Sequence, residues 1–119
     1  MSEVDLDQLP LLDEEIIVEL REVMEDEFAD LLLNFLNDLP VQLDGLQTAI
    51  DRGDLDRLYR TAHKFKSSCG SIGALRLAEL MRRLEQAGRQ KKPDDTQEWL
   101  QRARAVAAET AAGLQAHLS

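Results

Sequence analysis

Phe28, Leu32, Phe35, Leu39, Leu43, Leu46 and Ile50 follow one another at steps of three or four residues. A stripe of that period runs down one side of an α-helix, and a helix with one long apolar side must bury it against other elements. The spacing predicts a helix from about Asp26 to Arg52, bent near Pro40. Gly53 follows as a C-terminal stop and Asp54 as the N-cap of the next segment.

The same period continues on both sides. Ile16, Ile17 and Leu20 predict a short helix from about Asp13 to Met24. Leu55, Leu58, Ala62, Phe65 and Cys69 predict one from about Asp54 to Cys69 or slightly beyond, ended by the cluster Gly70, Ser71 and Gly73. Leu77, Met81 and Leu84 predict one from about Ala74 to Ala87, with Gly88 as its terminator. After the polar loop "RQKKPDD", Pro93 and Asp94 or Asp95 introduce a last helix with Leu100, Ala103, Ala107, Leu114 and Leu118 on one face. No run alternates in the manner of a strand. The expectation is all-α: an antiparallel up-down four-helix bundle with a short additional N-terminal helix across one end. Residues 1–119 read as one domain, since 119 residues suffice for one core and not for two.

Charge narrows the function. The net charge of −9 divides into −14 over residues 1–54 (16 acidic, 2 basic) and +5 over residues 55–119 (7 acidic, 12 basic). An acidic chain with 4% aromatic residues is a poor nucleic-acid binder. No apolar run approaches the roughly 18 residues of a membrane span. The lone Cys69 and the acidic N-terminus, unlike a secretory signal, suit a cytoplasmic setting. The initiating Met1 and the full set of helices read as a free-standing protein, with a fragment of a larger kinase as the alternative. A monomer is expected.

Within "TAHKFKSSCGSIGA", one of only two histidines, His63, has lysines one and three residues after it. On a helical wheel His63 falls roughly 130° from the mean of Leu58, Ala62, Phe65 and Cys69. It is therefore expected in solvent, with Tyr59 one turn before it, Lys66 within one turn, and the small Ser67 and Gly70 leaving an open flank. Metal binding needs three or four ligands, and His117 and Cys69 are badly placed to join His63. No nucleophile elbow or glycine-rich phosphate loop is present. An exposed imidazole acting as a nucleophile toward phosphoryl groups remains.

The stretch "AHKFKSSCGSIGALRLAELMRRLE" resembles the histidine phosphotransfer (HPt) domain family of two-component phosphorelays. The resemblance implies a phosphoacceptor at His63, a phosphoryl-stabilising lysine at Lys66 and a turn at Ile72–Ala74. Ser67 departs from the pattern, which usually has glycine there. The resemblance further implies that a Glu 22 residues after the histidine, here Glu85, holds Nδ1–H and frees Nε2; otherwise Glu85 is a solvated acid paired with Arg89. It implies a carrier rather than an enzyme, with no cofactor of its own: a receiver domain of a sensor kinase or response regulator supplies the acidic pocket and Mg²⁺. Arg57, Arg60, Lys64, Lys66, Arg76, Arg82 and Arg83 are expected to frame the site. Tyr59, Lys64, Ser67, Gly70 and Arg82 are expected at the docking surface, Tyr59 with partial core burial as its equal alternative. A mostly solvated Lys66 would help keep the ring neutral. The competing reading is a helical adaptor that binds a signalling partner through the same face and takes no phosphate.

Overall fold

In the computed structural model, which describes residues 5–118, five α-helices follow a 3-10 turn at Leu6–Gln8. They are α1 (Glu14–Met24), α2 (Phe28–Asp51), α3 (Leu55–Ile72), α4 (Leu75–Arg89) and α5 (Thr96–Ala116). Met1, read above as the initiating residue, lies outside the described residues. Each of α2 to α5 packs on the next, and α5 returns to α2, closing a four-helix bundle; α1 lies against α2 and α3. The stripe residues Leu32, Leu46, Leu58, Phe65, Leu84 and Leu100 are fully buried inside it. Phe35 and Phe65 stack across α2 and α3 with ring centroids 5.7 Å apart. On α5 the buried Ala103 and Ala107 leave room for the neighbouring helices.

The helix ends show where local rules applied and where tertiary contacts overrode them. Asp13 caps α1, accepting from the amides of Glu15 and Ile16. Its own amide donates to the carbonyl of Gly73 at 2.7 Å, which ties the start of α1 to the α3–α4 turn. Gly73 has φ 83°, and its amide and that of Ala74 bond back to Gly70 and Cys69, the Schellman arrangement. Asp54 caps α3 through the amide of Arg57.

Some expectations need correction. Gly70 and Ser71 do not form the turn; they are helical, and only Gly73 breaks α3. The core draws in Ile72, which extends the Phe65–Cys69 stripe by one more step. Gly88 does not terminate α4, which continues through Arg89, because this glycine faces the backbone of α3. The second helix starts at Phe28, since Glu25–Glu27 form a 3-10 turn in which Glu25 has φ 49°. Asp95 precedes α5 without a side-chain capping bond; Thr96 donates its hydroxyl to the Pro93 carbonyl instead.

Candidate functional site

With Leu58, Ala62, Phe65 and Cys69 turned into the core, α3 presents His63 outward, its side chain 54% exposed. Facing it across the α3–α4 contact is Glu85, whose side chain is only 9% exposed. His63 Nδ1 lies 2.7 Å from Glu85 Oε1. Lys66 Nζ reaches both oxygens of the same carboxylate, 2.9 Å from Oε1 and 3.2 Å from Oε2. Burial works against the charge on Glu85, but the hydrogen bonds from Lys66 and His63 outweigh it and hold the carboxyl below its usual range. An ionised carboxylate can only accept, so the proton sits on Nδ1 of the ring. In the neutral ring the lone pair is then on Nε2, which has no protein partner among the described residues.

A model of the Hpt domain family matches residues 30–117. The chain belongs to this family. Its fold superposes on histidine-containing phosphotransfer protein B (HptB) of Pseudomonas aeruginosa PAO1 with a TM-score of 0.89 and 30% identity, over 92% of this chain and 96% of that one. The HPT domain of a sensor hybrid histidine kinase from Shewanella has the same fold at 16% identity and a TM-score of 0.72, over 96% of both chains. No curated protein matches the sequence. Hpt domains carry phosphoryl groups in two-component signalling, and this chain shares that coarse role.

Around the pair, this Hpt domain arranges the other expected residues unevenly. Lys64, Ser67 and Gly70 are exposed, and nothing beyond its own helical turn lies within 4 Å of where a Cβ on Gly70 would stand. Tyr59 is half-buried, its ring centroid 5.9 Å from that of His63. Lys66 is not mostly solvated: its side chain is 32% exposed because Glu85 draws it inward. The carboxylate thereby offsets the ammonium, so Lys66 does not act on the ring as an isolated cation. Arg82 is engaged by Glu79 through bonds of 2.8 and 2.6 Å.

Arg76 and Arg83 do not frame the site. Arg76 donates to the Leu9 carbonyl, anchoring the N-terminal segment. Arg83 is buried between Glu79, at 3.0 Å, and the ring of Trp99. The bond from Arg82 holds the Glu79 carboxyl below its usual range, against desolvation and with further help from Arg83. Arg89 does not pair with Glu85; it lies over the Tyr59 ring at 5.3 Å. The alternative of a solvated Glu85 is thereby overturned.

Sequence reasoning missed two surfaces along α3. A polar groove of about 430 Å³ between α2 and α3 is lined by Asp38, Gln42, Arg60 and Lys64 among others. A more apolar groove of about 480 Å³ opens between α1, α2 and α3, lined by Leu20, Met24, Leu31, Phe35 and Ser67 among others. Leu31, apolar but off the α2 stripe, was the available signal. Among the described residues no three His, Cys, Asp or Glu side chains gather as a metal site, and no helix is long and apolar enough to cross a membrane.

Proposed function

We propose that His63 accepts a phosphoryl group from the phosphoaspartate of a receiver domain and passes it to the aspartate of another. The observation that carries this reading is the 2.7 Å bond from His63 Nδ1 to a buried carboxylate, which leaves Nε2 of a half-exposed ring without a protein partner among the described residues. In the forward step Nε2 forms a bond to phosphorus as the acyl–phosphate P–O bond breaks, and the aspartate departs as a carboxylate. The ring still holds its Nδ1 proton and so gains positive charge, which Glu85 stabilises. Lys66 stands beside the phosphoryl oxygens, where a cation offsets their charge. In this reading the receiver's acidic pocket supplies the Mg²⁺ of the reaction.

The apolar groove beside Ser67 suits a docking surface, and the exposed Lys64 and Arg60 oppose an acidic partner. A cytoplasmic monomer completes the reading; the unpaired, buried Cys69 suits a reducing compartment.

The test mixes the protein with a phosphorylated receiver and follows the label. Acid-labile, base-stable label should appear on the wild type and on His117→Gln, and be absent from a folded His63→Gln. Undiminished labelling of His63→Gln would refute the assignment. Binding of the receiver without any label on the wild type would favour the adaptor instead.

A further inference from the structure

Gly88 is the next-to-last residue of α4, three residues from Glu85, and is buried. Its φ is not positive, and the left-handed residue that follows α4 is Lys91, so no special backbone conformation calls for glycine here. The neighbouring helix does. A Cβ at this position would stand 2.7 Å from the Leu55 carbonyl oxygen, 2.7 Å from the Tyr59 amide nitrogen and 3.0 Å from the Tyr59 Cα. All three are backbone atoms of α3, which cannot swing aside as a side chain would. At Gly88 the backbone of α3 thus leaves no room for a side chain on α4.

That point is adjacent to the phosphoacceptor pair. Tyr59 precedes His63 by four residues on α3, about 6 Å along the axis, and Gly88 follows Glu85 by three on α4, about 4.5 Å. The helices run antiparallel, so the two contacts lie about one turn apart on the same seam. We infer that Gly88 is a positioning residue for phosphotransfer: its missing side chain lets α4 approach closely enough for Glu85 to hold His63 Nδ1. This rests on the reading of His63 given above.

The distances show how little slack exists. Restoring an ordinary contact of about 3.5 Å at Gly88 moves the backbones apart by about 0.8 Å. Carried one turn along the seam, that takes a 2.7 Å bond to about 3.5 Å, outside hydrogen-bonding range. Side-chain adjustment by Glu85 recovers part of the loss, and Lys66, also on α3, moves with His63.

The experiment compares Gly88→Ala with Gly45→Ala. Gly45 is the matched helical glycine, whose added methyl would meet only a Thr61 methyl at 3.9 Å. The first readout needs no receiver: ¹⁵N–¹H correlations of the neutral His63 ring. Wild type and Gly45→Ala should be Nδ1–H; Gly88→Ala should shift toward Nε2–H. The second readout is transfer rate at saturating receiver, expected to fall roughly tenfold in Gly88→Ala with receiver affinity retained. Glu85→Ala supplies the reference, and the double variant should be no slower than Glu85→Ala alone. An unchanged tautomer and rate in Gly88→Ala, or additive losses in the double variant, would overturn the inference. Should Gly88→Ala not fold, Glu85→Asp withdraws the carboxylate without touching the seam; wild-type tautomer and rate there would refute the distance argument equally. If the wild type accepts no phosphoryl group, the functional reading fails while the tautomer comparison still decides the role of Gly88.

Discussion

The two histidines of this chain each meet a glutamate, yet they are opposites as chemical groups. His117, near the end of α5, has both ring nitrogens occupied: Nε2 lies 3.0 Å from Glu14 and Nδ1 3.1 Å from Arg21. Its side chain is 19% exposed, and its glutamate is 64% exposed. His63 has one nitrogen held by a buried carboxylate and the other open. Contact with a glutamate therefore decides nothing by itself. Which partner is buried, and whether a nitrogen is left over, separates a tether between helices from a nucleophile.

The largest effect that could break this contrast concerns the second cation of the His63 site. Lys66→Ala should slow transfer by roughly tenfold to a hundredfold at saturating receiver, since one preorganised charge is lost from a site that water partly screens. Loss of affinity with an unchanged rate would make Lys66 a docking residue and leave His63 less distinct from His117.

Acid probes the two carboxylates that hold cations. The pKa values of Glu85 and Glu79 are lowered from 4.5 in the folded protein, so the unfolded chain takes up their protons first as pH falls. Their contribution to stability is complete above about pH 5 and is lost as pH falls through 4.5 toward the folded values. The urea midpoint should be lower at acid than at neutral pH, and Glu85→Gln should reduce that difference. An unaltered slope in that variant would mean that Glu85 carries no net stabilisation, and that its burial serves only the ring.

The smallest effect belongs to the tether. His117→Gln should cost about 1 kcal/mol, the scale of a partly exposed charge-assisted bond, and lower Tm by about 4 °C. A much larger loss would show that α1 depends on this one contact.

Much of this was legible before any coordinates. The outward direction of His63 followed from four apolar residues on its own helix, because a helical period is a local property. Glu85 was reachable only through the family resemblance, since its burial depends on how closely α4 approaches α3. Gly88, which creates that approach, reads in sequence as a helix stop; a local rule cannot tell a glycine that ends a helix from one that admits a neighbour. Gly70 and Ser71 misled in the same way. Arg76 and Arg83 were grouped with the site by proximity in sequence, whereas the Leu9 carbonyl and Trp99 that claim them are distant along the chain.

Cys69 lies on the core side of α3, six residues beyond His63 and fully buried. Burial pushes its thiol well above the ordinary range, and only the thiolate reacts readily with alkylating reagents. The native protein should therefore be nearly inert to them, and any slow modification must pass through moments when this helix leaves its neighbours. The chain thus carries its own clock for how often the phosphoacceptor helix opens, readable by mass spectrometry without adding a probe.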